Sequence, residues 1–410
     1  MKSFNIPEFY RSPLISKVKH QRKAQDPRKQ DFSPSVLDFG NVKVMLARHF
    51  GFCYGVENAI EKAYQALDEN PGKRILLLSQ MIHNPEVNED LQANGIDFIQ
   101  DTYGNQLMNW DQVTANDVVI IPAFGTTLDL EKKLEEKGIE TQKYNTTCPF
   151  VEKVWNRSAK LGQSDCTVII HGKPEHEETR ATFSHSSAEA KSIVIKDMVE
   201  AKQLANFILE RSSLEEFEAV FSGRYSADFN PTEDLKKVGV VNQTTMLASE
   251  TQAIADYFKT VMEEKFGKDE IKEHFANTRD TLCYATNDNQ QATLGLLAEP
   301  ADVALVVGGY NSSNTSHLVE LCEEKVPTFF IKNDSEIVSR GEINHFDWRT
   351  KKHLTTKDWL PSSETPRIII TSGASCPDAV LERVLNRLLE FYPNALSVDE
   401  VHKTIGSLAK

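Results

Sequence analysis

Three of the six cysteines share one local setting, a short polar turn followed at once by a stretch with helical apolar spacing. They are Cys53 in residues 51–57, Cys148 in residues 145–155 and Cys283 in residues 281–287. At a helix N-terminus, unpaired N–H groups and the helix dipole favour the thiolate form of a cysteine. Three thiolates can bind three irons of a cubane cluster and leave the fourth iron without a protein ligand. Such an iron is a Lewis acid for a substrate oxygen, so the pattern predicts cluster chemistry.

A structural role is the alternative for each of these cysteines, because a small thiol packs well beneath a tight turn. For a single cysteine the structural role is the preferable interpretation, whereas three cysteines in matching settings favour the iron–sulfur cluster. Cys166, Cys322 and Cys376 lack this setting and are interpreted as structural. The sequence has no C-x-x-C pair, which argues against zinc ribbons and thioredoxin-like sites, and no recognisable signal peptide that would suggest disulfides.

Other reactive or polar side chains follow predicted strands, where ligands bind in open α/β sheets. These residues are His83, His176, Thr244, Ser312, Ser313, Asn314 and Ser375. The serine-rich runs at 308–316 and 371–377 offer hydroxyls and helix N-terminal amides to a phosphate. Their alternative role is ordinary helix capping. The His-Glu-Glu run at 176–178 is either a solvated cap or a phosphate-binding imidazole beside a proton-donating acid.

Strands and helices alternate from residue 42 onward, which predicts an α/β fold with small, mostly parallel sheets. Because the strand–cysteine–helix unit recurs, we expect three related α/β modules, at 42–147, 148–282 and 283–385. Residues 1–41 are predicted to form an N-terminal extension and residues 386–410 a C-terminal tail. Residues 210–234 are predicted to be an irregular acidic surface insertion.

The composition is that of a soluble globular protein, with 40% apolar and 26% charged residues among 410. A net charge of -14 argues against a nucleic-acid partner. The apolar runs, such as 303–307, are too short to cross a membrane. We therefore expect a cytoplasmic bacterial protein, or a protein of the plastid stroma if the extension is the remnant of a targeting segment.

Taken together and in order, seven motifs resemble the 4-hydroxy-3-methylbut-2-enyl diphosphate reductases, the last enzymes of the non-mevalonate (methylerythritol phosphate) isoprenoid pathway. The motifs are Gly51-Phe-Cys-Tyr-Gly-Val-Glu, His83-Asn-Pro, Thr146-Thr-Cys-Pro, His176-Glu-Glu-Thr, Asn242-Gln-Thr-Thr-Met-Leu, Gly308-Gly-Tyr-Asn-Ser-Ser-Asn-Thr-Ser-His-Leu and Thr371-Ser-Gly-Ala-Ser. The resemblance spans about residues 42–390. The extension before residue 42 is similar to that of the longer plant and cyanobacterial members.

The resemblance implies a trefoil of three α/β modules around a central [4Fe-4S] cluster, with one iron lacking a protein ligand. The implied cluster ligands are Cys53, Cys148 and Cys283. The implied diphosphate-binding residues are His83, His176, Ser312, Ser313, Asn314 and Ser375. Thr244 would lie near the hydroxyl end of the substrate, and Glu178 would deliver the proton, with Glu177 as the alternative. Short bacterial members carry a histidine where this chain has Phe124, so one expected diphosphate contact is missing.

The implied reaction removes the C4 hydroxyl of the allylic diphosphate to give isopentenyl and dimethylallyl diphosphate. Electrons would come from ferredoxin or flavodoxin, since the sequence shows no G-x-G-x-x-G or P-loop motif for a nucleotide cofactor. Two alternatives remain open. One is a zinc hydrolase that uses His83, His176 and a glutamate, and the other is a non-catalytic cluster protein that binds or senses.

Overall fold

The chain divides into two compact units, each built from separated segments of the sequence. The computed structural model describes residues 4–278 and 281–404. Unit 1 contains residues 4–57, 83–87 and 284–404, and unit 2 contains residues 58–82, 88–278 and 281–283. The predicted boundaries of the three modules stay a prediction. Residues 1–3 of the extension and 405–410 of the tail lie outside the described residues.

Unit 1 centres on a five-stranded sheet that joins segments from both ends of the chain. The strands of unit 1 are Ser35–Asp38, Lys43–Leu46, Val303–Val307, Thr328–Ile331, Ile337–Ser339, Glu342–Asp347, Lys352–Lys357 and Arg367–Ser372. Its helices are Pro13–Gln25, Tyr284–Leu297, Ser313–Glu323, Asp378–Leu389 and Val398–Thr404, with 3-10 turns at Glu8–Tyr10 and Asp334–Glu336. Helices Tyr54–Glu69 and Pro85–Ala93 begin in unit 1 and continue into unit 2.

The order of strands in this sheet brings two substrate-loop candidates to the same edge. Strand Arg367–Ser372 lies between Lys43–Leu46 and Val303–Val307 and is parallel to both. Val307 pairs with Ser372 at the carboxyl ends of their strands. The loops that begin at residues 308 and 373 are therefore neighbours. Near-continuous Val and Ile in these strands matches burial on both faces.

The N-terminal extension is a structural part of unit 1. Leu14, Ile15 and Val18 from helix Pro13–Gln25 are almost fully buried in the core of unit 1. Burying each side chain contributes about 1.5–3 kcal/mol relative to leaving it in water. Ser12 caps the helix by accepting a hydrogen bond from the Ile15 N–H, and Pro13 occupies the first helical position.

Unit 2 contains two smaller parallel sheets. In one, the strand that begins at residue 238 pairs with the strand that begins at residue 167; in the other, the strand that begins at residue 118 pairs with the strand that begins at residue 75. Its strands are Ile75–Leu77, Ile96–Phe98, Val118–Ile120, Thr167–His171, Ser192–Ile195, Val238–Asn242 and Phe275–Ala276. Its helices are Leu128–Glu136, Pro149–Gly162, Glu177–Glu189, Met198–Ile208, Leu214–Phe221, Pro231–Asp234, Ala248–Phe266 and Ile271–His274, with a 3-10 turn at Trp110–Gln112.

The prediction of an irregular insertion at 210–234 is wrong. Helix Leu214–Phe221 lies within it and starts with a capping box between Ser213 and Glu216. Phe217 and Phe221 are buried in the core of unit 2, which explains why the acidic segment folds. The Ser-x-x-Glu spacing was the available signal, and the surrounding glutamates obscured it.

The predicted fold class is confirmed, because the core sheets are small, mostly parallel and flanked by helices. The antiparallel exceptions are the pair Ser35–Asp38 with Lys43–Leu46 and the three-stranded sheet built from residues 337–357. Across residues 4–278 and 281–404, every helix is too short or too polar to cross a membrane.

Candidate functional site

In unit 2, a buried carboxylic acid lies beside the end of strand Val238–Asn242. Glu178, in the first turn of helix Glu177–Glu189, is only 1% exposed. Its carboxyl group accepts hydrogen bonds from the backbone N–H and the hydroxyl of Thr244, the latter at 2.9 Å. The parallel pairing of strands Thr167–His171 and Val238–Asn242 brings these two distant positions together.

Burial decides the protonation of this acid. It raises the pKa of Glu178 to about 7, and the two hydrogen bonds from Thr244 offset only part of that effect. In the described part of the chain, no cation forms an ion pair with this carboxyl group. A carboxylic acid with a pKa near neutrality is suited to donating a proton at physiological pH.

Two of the three candidate cluster cysteines belong to unit 2 and are linked to this acid. The Cys283 N–H donates to the Thr244 carbonyl oxygen at 3.1 Å, and both Cys148 and Cys283 are partly buried and not joined in a disulfide. Burial, with smaller contributions from the negative charges of Cys283 and Glu178, raises the pKa of Cys148 to about 11. At Cys148, burial therefore outweighs the backbone N–H groups of Phe150 and Val151, which lower the pKa of the thiol. The role of the three cysteines as cluster ligands stays a prediction.

All three cysteines occupy the predicted position directly before a helix. The helices are Tyr54–Glu69, Pro149–Gly162 and Tyr284–Leu297. Within residues 4–278 and 281–404, no three His, Cys, Asp or Glu side chains are grouped as ligands of a single metal ion. In a cubane cluster each cysteine binds a different iron, so this finding concerns sites for one ion.

His176 caps the helix that carries Glu178. Its Nδ1 accepts the Glu178 backbone N–H at 3.1 Å, so a neutral ring carries its proton on Nε2. The ring of Phe124 contacts the His176 ring edge-on, with centroids 5.7 Å apart. The Phe124 ring therefore packs against the imidazole, and a phenyl ring cannot replace a histidine as a hydrogen-bond donor to a phosphate. Glu177, the alternative acid, is also buried at 7% exposure.

Gln243 is a supporting residue that the site prediction did not include. Its side-chain oxygen accepts from the Lys173 N–H at 3.1 Å and from the Thr179 hydroxyl at 3.0 Å. The Thr179 hydroxyl would lie 2.6 Å from a Cβ at Gly172, so only glycine fits there. Gln243 thereby joins the loop before His176 to the helix after it. Its place between Asn242 and Thr244 in the quoted motif was the available signal.

In unit 1, the candidate phosphate-binding residues lie on the two neighbouring loops after residues 307 and 372. Ser312, Ser313, Asn314 and Ser375 are all buried, at 3–8% exposure. Ser312 caps helix Ser313–Glu323 by accepting from the Thr315 N–H at 3.3 Å. The Asn314 side-chain oxygen accepts from the Ala374 N–H at 3.0 Å, which joins the two loops.

Two of these side chains hold buried polar atoms without a partner. The Ser313 hydroxyl and the Asn314 side-chain nitrogen make no hydrogen bond to any described residue. Leaving a buried donor unpaired costs about 1–3 kcal/mol, and both atoms lie at the N-terminus of a helix. Such a pair of donors suits an anionic ligand.

His83 joins the same loops through its backbone. The Ser375 hydroxyl donates to the His83 carbonyl oxygen at 3.2 Å. A Cβ at Gly309 would overlap that same oxygen, so glycine is required for the loop to approach it. Structure thus brings His83, Ser312, Ser313, Asn314 and Ser375 together within unit 1.

The fold and these side chains define an α/β protein with cysteine donors in both units, a buried acid and hydroxyl-rich loops at strand ends. The chain belongs to the LytB protein family, whose model matches residues 44–389. The predicted resemblance is confirmed by this match.

Curated relatives cover most of the chain. A 4-hydroxy-3-methylbut-2-enyl diphosphate reductase from Gloeobacter violaceus is 40% identical over 354 residues, which are 86% of this chain and 83% of the relative. The same enzyme from Crocosphaera subtropica is 41% identical over 353 residues, or 86% and 85%. The solved structure of the E-1-hydroxy-2-methyl-but-2-enyl-4-diphosphate reductase from Plasmodium falciparum is 19% identical, with a TM-score of 0.63 over 90% of this chain and 99% of that chain. This likeness shows the fold.

Proposed function

We propose that the chain is a reductase that converts 4-hydroxy-3-methylbut-2-enyl diphosphate to isopentenyl and dimethylallyl diphosphate. The observation that carries this proposal is the buried acid Glu178, which accepts a hydrogen bond from the Thr244 hydroxyl. The Thr244 carbonyl oxygen in turn accepts a hydrogen bond from the Cys283 N–H. The curated relatives supply the identity of the substrate. The reaction breaks the C4–O bond, releases the oxygen as water and forms one C–H bond. It consumes two electrons and two protons.

The chain's donor set suits an iron–sulfur cluster, and we assign Cys53, Cys148 and Cys283 as its ligands. The position that the three cysteines share, directly before a helix, supports this assignment. Burial raises the pKa of Cys148 to about 11, so this thiol would bind as a thiolate only where the cationic charge of a metal group compensates for the lost hydration. We propose a [4Fe-4S] cluster with one iron lacking a protein ligand. When bound, it would supply electrons and a Lewis-acid contact for the leaving oxygen.

Glu178 is assigned as the proton donor to the leaving hydroxyl. A pKa of about 7 keeps a large fraction of the carboxyl protonated at neutral pH. The two donors of Thr244 fix the carboxyl orientation, and Thr244 is assigned a place near the substrate's hydroxyl end. Glu177 is the alternative donor, since it precedes Glu178 in the same helix turn and is also buried.

The diphosphate is proposed to be bound by the uncharged hydrogen-bond donors of serine and asparagine side chains and by two histidine imidazoles. The assigned residues are His83, His176, Ser312, Ser313, Asn314 and Ser375. The unpartnered donors of Ser313 and Asn314 support this assignment, as does the proton on Nε2 of a neutral His176 ring. We also propose ferredoxin or flavodoxin as electron donor, because the sequence carries no nucleotide-binding motif for a hydride donor.

The test begins with anaerobic reconstitution of the full chain with iron and sulfide. Mössbauer spectra are recorded with and without the allylic diphosphate, and turnover is driven by dithionite-reduced methyl viologen. The expected result is one iron site that responds to substrate, together with formation of both isomeric diphosphates. A colourless protein, or a cluster without reductive turnover, would contradict the proposal.

Two isosteric variants then separate the candidate acids. Glu178→Gln is expected to lower turnover on the order of 10²- to 10⁴-fold while the cluster spectrum stays unchanged. Glu177→Gln is expected to have a much smaller effect. The reverse pattern would transfer the role to Glu177, and full turnover in both variants would remove the acid from the reaction.

A further inference from the structure

The turn that carries Cys53 is packed beneath an ion pair from two distant segments. Lys19 Nζ, in helix Pro13–Gln25, lies 2.7 Å from Asp378 Oδ1, at the start of helix Asp378–Leu389. Gly51 has a φ of +78°, and a Cβ there would lie 2.8 Å from Lys19 Nζ and closer still to Asp378 Oδ1. Only glycine can satisfy both the backbone and the packing. The ion pair therefore packs directly against the α-carbon of Gly51 and occupies the space that a side chain would need.

Aromatic residues of the same N-terminal segment contact both neighbours of Cys53. The Phe4 ring lies edge-on to Tyr54 at 5.0 Å, and the Tyr10 ring lies edge-on to Phe52 at 5.7 Å. Phe4 and Tyr10 are about 5% exposed, and their partners Phe52 and Tyr54 are partly buried. Pairs of this geometry contribute about 0.5–1.5 kcal/mol each beyond the burial of area.

The backbone of the turn is fixed from the opposite end of the sequence. The Cys53 N–H donates to the Ala374 carbonyl oxygen at 3.2 Å. Ala374 lies four residues before Asp378, in the loop that leads to its helix. Lys19 Nζ also lies 4.5 Å from the centroid of the Phe50 ring, so the cation has an aromatic as well as a carboxylate partner. The lysine and aspartate side chains are 32% and 17% exposed, which limits screening by solvent.

We propose that residues 4–25, the N-terminal strap, position the Cys53 turn, with Lys19 and Asp378 as the positioning residues. The strap holds the turn in the conformation in which Cys53 is presented to a metal cluster. This inference rests on the proposed role of Cys53 as a cluster ligand. It assigns the extension a function beyond stability, because the contacts of Phe4, Tyr10 and Lys19 converge on residues 50–54.

The test uses the full chain and the variants Lys19→Met and Asp378→Asn. Lys19→Met keeps the apolar stem over Phe50 and removes the charge. Lys43→Met is the matched control, because Lys43 pairs with Asp38 at 3.2 Å in unit 1 without touching the turn. The first measurement is the rate of cluster loss to a chelator, followed by visible absorbance. Lys19→Met and Asp378→Asn are each expected to lose the cluster on the order of fivefold faster than wild type and the control.

The second measurement does not depend on turnover or on the cluster. Metal-free full-length protein is alkylated with iodoacetamide, and mass spectrometry gives the rate at each cysteine. Both variants are expected to increase the Cys53 rate on the order of fivefold, with Cys148 and Cys283 as internal standards. A purely electrostatic effect would change the Cys53 rate in opposite directions, because one variant removes a cation and the other an anion.

Opposite changes, or no change, at Cys53 would overturn the positioning role, and so would an equal increase at all three cysteines. A failed reductase assay with a normal strap effect would instead contradict the proposed function alone. The two ideas can therefore fail separately.

Discussion

Replacing Glu178 with glutamine should stabilise the folded protein, and the gain should depend on pH. The folded-state pKa of Glu178 is raised from 4.5 to about 7, so the folded protein holds this proton more tightly than the unfolded chain. The favourable contribution is complete below pH 4.5 and is lost as the pH rises through about 7. A shift of this size corresponds to about 3 kcal/mol. Glutamine keeps the shape and is neutral at every pH, so it avoids this loss.

The expected outcome is a difference between variant and wild type that is near zero at pH 4.5 and approaches about 3 kcal/mol above pH 7. The assay is urea unfolding of the full chain at a series of pH values, followed by circular dichroism. Hydrogen exchange of the peptide covering Glu177–Glu189 reports the local opening of the same helix.

Glu189→Gln is the matched control, because its side chain is exposed at the other end of that helix and stays hydrated in the folded protein. A stability difference for Glu178→Gln that stays constant from pH 5 to pH 8.5 would refute the argument that burial raises the pKa. A difference of opposite sign would mean that an unrecognised cation stabilises the ionised form.

Three further outcomes follow from single contacts. Thr244→Val removes one donor that lowers the pKa of Glu178, so the alkaline limb of the kcat profile should move to higher pH; an acidic shift would contradict this. Ser313→Ala should raise KM on the order of tenfold in steady-state kinetics without lowering the urea midpoint, because its hydroxyl has no partner in the described chain. Leu14→Ala should cost about 2–5 kcal/mol in unfolding free energy, whereas exposed Phe9→Ala should cost little; equal losses would remove Leu14 from the core.

The positions of the cysteines could be predicted because they depend on local signals. Pro149 fixes the first turn of its helix, and apolar spacing marks the helices after Cys53 and Cys283. The protonation of Cys148 could not be predicted in the same way. It depends on burial, which comes from the packing of residues far apart in the sequence.

The hydrogen bonds between Thr244 and Glu178 show a second limit on what the sequence can predict. Alternating strands and helices predict parallel sheets but not which strands are neighbours, and this contact requires residues 167–171 to pair with residues 238–242. The buried role of helix Pro13–Gln25 was hidden for a different reason. Its sequence is mostly basic and polar, and only a narrow apolar face, including Leu14 and Ile15, reaches the core.

The different roles proposed for Ser313 and Glu178 make the Ser313 prediction specific. In the proposed reaction the diphosphate is chemically the same in substrate and products, so contacts to it bind all states equally and affect KM. Uncharged donors such as Ser313 would bind this anion without the long-range attraction that a group of lysines would also exert on the products. Glu178, as the proposed proton donor, would act only where the C–O bond breaks, so its loss should appear in kcat. A Ser313→Ala variant with reduced kcat and normal KM would mean that the hydroxyl acts on the reacting carbon end and not on the diphosphate.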